Sequence, residues 1–107
     1  MKHWPRDVED WRKDTASLSF EEQGAYAAML DIYYASEGAL PTDKQAIYRL
    51  AGAMSKKDQT AIDKVLERGF FYENGGGLHN KRADIEIKAY QVFCENQRRR
   101  RLGIKKT

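Results

Sequence analysis

Three helix starts followed by a glycine-tipped hairpin constrain this chain more than any other feature, because they set the order in which its elements can occur. Each start reads as a capping box. A Ser or Thr side chain accepts the backbone amide three residues on, and an acidic or Gln side chain there reaches back. The pairs are Ser19 with Glu22, Thr42 with Gln45, and Ser55 with Asp58. After the third helix come Phe70-Phe71-Tyr72-Glu73, then Asn74-Gly75-Gly76-Gly77, then Leu78-His79-Asn80-Lys81-Arg82. Two extended runs around an Asn-Gly turn predict a β-hairpin.

Periodicity places the elements. The first helix, over residues 20–36, carries Tyr26, Met29, Leu30 and Tyr33 on one face. Gly38 fits its stop signal, and Ala39-Leu40-Pro41 reads as an extended connector because a residue before proline avoids helical geometry. A second helix, residues 43–51, points Ile47, Leu50 and Ala51 inward, with Met54 continuing the stripe. The third, residues 56–68, buries Ile62, Val65 and Leu66 and turns Lys57, Thr60, Lys64 and Arg68 outward. A last helix, residues 83–97, aligns Ile85, Ala89, Val92 and Phe93. The expected core contains Tyr26, Leu30, Ile47, Leu50, Ile62, Leu66, Phe71 and Val92, with Phe70, Tyr72 and Leu78 completing it from the hairpin. The predicted fold is mainly α with a small β-hairpin, a winged helix-turn-helix with an additional C-terminal helix. It occupies residues 1–97 and is followed by a basic tail, residues 98–107.

In a winged helix the third helix enters the major groove and the wing touches the backbone. That assigns groove contacts to Lys57, Thr60, Lys64 and Arg68, and backbone contacts to Lys81 and Arg82 at the exit of the wing. An ordinary solvated helix face is the alternative, and Asp63 and Glu67 beside the stripe favour it. Charge is unevenly spread. Residues 1–97 hold 13 basic and 16 acidic side chains, whereas residues 98–107 hold Arg98, Arg99, Arg100, Arg101, Lys105 and Lys106 and no acid. A polyanion should therefore meet the C-terminal half, where the arginines add attraction that does not depend on sequence.

Other chemistries lack their residues. His3, His79 and Cys94 are scattered at no metal-ligand spacing, so neither a metal nor another cofactor is expected. Glu21-Glu22 sits where capping and the helix dipole already favour carboxylates, so it does not argue for an acid/base pair. Gly75-Gly76-Gly77 lacks the Gly-Lys-Ser/Thr of a phosphate loop, and no nucleophile–base signature is present. A non-enzymatic protein is expected. Trp4 and Trp11 suit anchors for an N-terminal arm better than stacking platforms for bases. The N-terminus lacks a signal-peptide core, no apolar run is long enough to span a bilayer, and the single cysteine suits a reducing compartment. A cytoplasmic protein without membrane contact is the expectation.

Several strings also resemble the YdaU-like family of phage and prophage proteins of unknown function. They are His3-Trp4-Pro5-Arg6, Asp14-Thr15-Ala16-Ser17-Leu18-Ser19, Glu22-Gln23-Gly24-Ala25-Tyr26, Tyr33-Tyr34, Gly38-Ala39-Leu40-Pro41, Gly69-Phe70-Phe71 and Leu78-His79-Asn80-Lys81-Arg82. They run in the family's order over roughly residues 3–90. The resemblance implies a winged-helix module associated with phage replication, usually N-terminal in longer proteins, and carries over no catalytic residue. The combined expectation is a DNA-binding protein of replication initiation or its control. The alternative is a docking module that recruits or inhibits a replication or host protein without touching DNA.

Overall fold

The computed structural model describes residues 1–103. Lys105 and Lys106 of the expected basic tail lie outside the described residues. Five helices and a small three-stranded antiparallel sheet follow in the order α1 (Val8–Asp14), α2 (Phe20–Ser36), β1 (Leu40–Pro41), α3 (Lys44–Ala51), α4 (Lys56–Glu67), β2 (Tyr72–Asn74), β3 (Gly77–His79) and α5 (Lys81–Arg101).

The core is built around α2. Its start is the full capping box expected from sequence: the Glu22 amide donates to Ser19 Oγ at 3.1 Å, and the Ser19 amide donates to Glu22 Oε1 at 3.4 Å. Tyr26, Met29, Leu30 and Tyr33 are all buried on the face that periodicity assigned, joined by Tyr34. The helix stops at Glu37, one residue before the glycine expected to end it, in the left-handed conformation (φ 54°). The Glu37 carboxylate is held there by the N-terminal ammonium at 3.1 Å and by Gln91 at 3.1 Å. Those bonds hold it below the usual carboxylate range, the ammonium being the larger cause.

The two shorter helices pack across α2. At α3 the cap is Asp43, not Thr42, because the Asp43 carboxylate accepts the Gln45 amide at 3.1 Å and makes the Thr42 box unnecessary. Ile47 and Tyr48 are its buried pair. Since the inward face is centred between them, Leu50 falls on the flank and is 57% exposed, contrary to its expected place in the core. Met54, past the end of α3, does not continue the stripe and is 91% exposed. At α4 the Asp58 amide donates to Ser55 Oγ at 3.1 Å without a return bond, as the short Asp side chain allows. Ala61, Ile62 and Val65 are buried, with Leu66 packed at the margin.

The hairpin is present and gains a third strand. Tyr72 pairs with His79, Glu73 with Leu78 and Asn74 with Gly77, around Gly75 and Gly76. Both of those glycines have positive φ (59° and 82°), as a two-residue type I′ turn requires. The connector Leu40–Pro41 is a strand on the open side of β3, giving the order β1-β3-β2. Gly77 is fixed by this pairing: a Cβ added there would lie 2.8 Å from the Ala39 Cβ. Phe71 is buried and Phe70 and Leu78 pack against the core, but Tyr72 faces out on the edge strand.

The last helix departs furthest from expectation. It begins at Asn80, whose Oδ1 accepts the Ala83 amide at 2.9 Å, so Lys81 and Arg82 form its first turn instead of ending the wing. It also runs through Arg98–Arg101, making the arginine cluster its last turn. Only Ala83 and Ile87 are buried. Asp84 and Glu86 accept hydrogen bonds from the hydroxyls of Tyr33 and Tyr34, and this seats α5 by the Ala83–Ile87 edge. Ile85, Ala89, Val92 and Phe93 consequently lie on the outer side, and Val92 is not a core residue.

The N-terminal arm contains α1, which no sequence signal predicted. Trp4 stacks on Tyr34 (5.1 Å between centroids) and Trp11 on Tyr26 (5.4 Å), the anchoring expected of these rings.

Candidate nucleic-acid interface

The outward face of α4 carries the residues expected to meet a groove, and its cations are partly paired within the molecule. Lys57 Nζ lies 2.8 Å from Glu21 Oε1, whose hydrogen bond raises the lysine pKa. Arg68 reaches Glu22 Oε1 at 3.7 Å and the Ser17 carbonyl at 3.3 Å. Thr60 Oγ1 donates to the Lys56 carbonyl of its own helix at 2.8 Å. Lys64 remains exposed with no carboxylate at ion-pair distance among the described residues.

The four residues expected to form one stripe thus lie along the side of α4 that borders the start of α2. Lys57, Thr60 and Lys64 share an open groove with Ser19, Glu21 and Glu22. The centre of the exposed face belongs to Lys56, Thr60 and Glu67, since these project opposite the buried Ile62 and Val65. Lys56 lines the same groove and was missed by the sequence reading, although its spacing of four from Thr60 and eight from Lys64 marks it. Asp63 borders the far side, where it accepts the Tyr48 hydroxyl and lies 3.7 Å from Lys44 Nζ. The hydrogen bond to Asp63 is the larger cause of a Tyr48 pKa pushed up to about 12.

The hairpin brings no lysine or arginine to the site. Across residues 72–79 the charged side chain is Glu73, and His79 Nδ1 is 3.0 Å from Asp84 Oδ2. Arg82 is bound to Glu86 at 3.1 Å and to Asp10 at 3.2 Å, and Glu86 is the main cause of its raised pKa. Lys81 is exposed beside it. Backbone contact through Lys81 and Arg82 would therefore come from the α5 N-terminus.

The densest positive charge sits at the other end of α5. Glu95 is shared by Arg98 (2.8 Å) and Arg99 (3.2 Å), which hold its carboxyl below the usual range. Arg100 and Arg101 are exposed with no carboxylate at ion-pair distance among the described residues. The cluster forms the last turn of α5, where the C-terminal end of the helix macrodipole favours cations.

A second surface was not expected. Phe20 is 93% exposed beside a groove lined by Gly24, Ala28, Ala51 and Ala53, and Leu50 and Met54 flank the α3–α4 turn next to it. Of the three, Phe20 lines the groove itself, and Leu50 and Met54 flank its Ala51–Ala53 wall in sequence. Among the described residues, no three His, Cys, Asp or Glu side chains are grouped to hold a metal ion, and no helix is long and apolar enough to cross a membrane.

A family model described as a protein of unknown function (DUF1376) matches residues 2–88. No curated protein and no solved structure matches the chain. The family match ends inside α5, so Val92, Phe93 and Arg98–Arg101 lie beyond it.

Proposed function

The chain belongs to the DUF1376 family, proteins of unknown function, and we propose that it is a winged-helix module that contacts duplex DNA. One observation carries the reading. Helix, strand, two helices and a hairpin follow in that order, and the first strand pairs with the returning strand of the hairpin. This connectivity supports a winged helix with α4 in the recognition position and β2–β3 as the wing.

The charge layout favours positioning on phosphates over base reading. Lys56 and Lys64 supply cations on the outward face of α4, whereas Lys57 and Arg68 must first break their pairs with Glu21 and Glu22. The wing approaches DNA through backbone and Asn74, and the end of α5 adds Arg98–Arg101. Resemblance to the YdaU-like phage and prophage family supports a role in replication initiation or its control.

Fluorescence anisotropy with a labelled duplex over a salt series tests the reading. Binding should weaken steeply with salt. Arg98→Gln through Arg101→Gln together should flatten the slope of log affinity against log salt by up to about 3.6, or about 0.9 for each phosphate no longer neutralised. Lys56→Ala with Lys64→Ala should weaken binding and flatten it further. Absence of duplex binding at low salt overturns the proposal. A docking module for a replication or host protein is then the better reading, and the apolar group of Phe20, Leu50 and Met54 is the observation in its favour.

A further inference from the structure

The outer side of α5 is amphipathic in a way the fold does not use. Ile85 (62% exposed), Ala89, Val92 and Phe93 form a stripe at spacings of four, three and one, on the opposite side of the helix from the buried Ala83 and Ile87. From Lys88 onward the helix is largely clear of the body, and its length contributes to a molecule of 53 × 30 × 22 Å. An exposed helix of this kind needs an occupant for its apolar face. The residues beside the stripe indicate which one.

With Ile85 and Val92 at one core position of a heptad, Ala89 and Asn96 occupy the other, and Lys88 and Glu95 are successive flanking residues on the same side. In an antiparallel pair of such helices, Ala89 of one lies across from Val92 of the other, and Ile85 across from Asn96. Lys88 then faces Glu95 of the second helix, and the contact occurs twice by symmetry. A parallel pair would not bring these opposite charges together. The same register sets Arg82 across from Arg99 of the second helix at each end, and nearby carboxylates offset these like charges: Glu86 and Asp10 meet Arg82, and Glu95, which Arg98 also reaches, meets Arg99 as well as facing Lys88. The stripe faces away from the body, which leaves it open to a second helix.

We propose that α5 is a dimerisation helix that pairs antiparallel with α5 of a second copy of this chain, through Ile85, Ala89 and Val92 with Lys88 opposite Glu95. The contact is isologous and closed, the common form for a homodimer. With few apolar side chains per copy it is a weak interface, self-associating between about 10 µM and 1 mM. It stands independently of DNA binding. In a DNA-binding protein it would set each arginine end beside the Lys81–Arg82 turn of the other copy.

Sedimentation velocity over a concentration series is the test. Wild type should shift from monomer to dimer, and Val92→Asp should stay monomeric throughout with unchanged helix content by circular dichroism. Lys88→Glu alone and Glu95→Lys alone should each dissociate about tenfold more readily, since attraction becomes repulsion at both symmetric contacts. An equal mixture of those two variants should recover association, because each Glu then faces a Lys. A wild type that remains monomeric at about 1 mM, the upper end of the expected range, a dimer that survives Val92→Asp, or a mixture that associates no better than its components overturns the proposal.

Discussion

Replacing Asn80 with alanine should reveal how one buried amide ties three elements together. Its Oδ1 caps α5 through the Ala83 amide at 2.9 Å, and its Nδ2 donates to the Phe70 carbonyl at 3.1 Å and to Tyr26 Oη at 3.3 Å. Its own amide donates to Tyr33 Oη at 3.1 Å and would survive the substitution. Loss of a helix cap costs about 1 kcal/mol. A buried carbonyl left without a donor costs about 1–3 kcal/mol more. Asn80→Ala should therefore destabilise by about 2–4 kcal/mol, a large part of the roughly 5–15 kcal/mol that holds a domain. Asn80→Ser, which retains a capping oxygen, should recover about 1 kcal/mol. Asp43→Ala, removing the exposed cap of α3, should cost about 1 kcal/mol and no more. Urea unfolding measures all three, read as midpoint shifts at constant slope; for a slope near about 2 kcal/mol per molar the Asn80→Ala midpoint should fall by about 1–2 M. An Asn80→Ala protein no less stable than Asp43→Ala would refute the reasoning, because the buried amide would then add nothing to its cap.

Two isoleucines make a second comparison. Ile47 is fully buried and Ile85 largely exposed, so Ile47→Ala should cost about 2–5 kcal/mol and Ile85→Ala under about 0.5 kcal/mol in dilute protein, read by thermal or urea unfolding. Gly77→Ala should cost about 1–3 kcal/mol, since the new Cβ meets the Ala39 Cβ at 2.8 Å with the strands fixed by pairing on both sides; an unchanged midpoint would contradict that. Burial raises the pKa of Tyr33 and Tyr34 and hydrogen bonding to Asp63 that of Tyr48, so in each the folded state favours the neutral phenol. The linked stability is full below the unfolded tyrosine value of about 10 and is lost as pH rises through the folded values. Tyr48→Phe should make unfolding less sensitive to pH between about 10 and 12, measured by urea midpoints across that window.

What the sequence made legible was local. The Ser19 box and the α2 face depend on neighbours in the chain, and both are present; the hairpin is present too, but its turn falls on Gly75-Gly76, one residue past the expected Asn-Gly, because Asn74 pairs with Gly77. α1 was not legible, because a seven-residue helix with no buried residue owes its place to Trp11 stacking on Tyr26. β1 is two residues long and exists only through β3. The apolar stripe of α5 was visible, but which side docks is decided by bonds from Tyr33 to Asp84 and Tyr34 to Glu86, about fifty residues apart. The candidate interface follows the same division. Periodicity turned Lys57 and Arg68 outward, but only the packing of α4 on α2 brings them to Glu21 and Glu22.

Duplex DNA should meet two surfaces of this protein, the outward face of α4 and the last turn of α5. Titration of the nitrogen-15-labelled protein with a short duplex, followed by amide chemical shifts, tests this most directly. The largest changes are expected at Lys56, Thr60, Lys64 and Arg98–Arg101, with the wing tip at Gly75–Gly76 next and the Phe20 groove unmoved. Changes confined to Phe20, Leu50 and Met54, or no change at low salt, would contradict it.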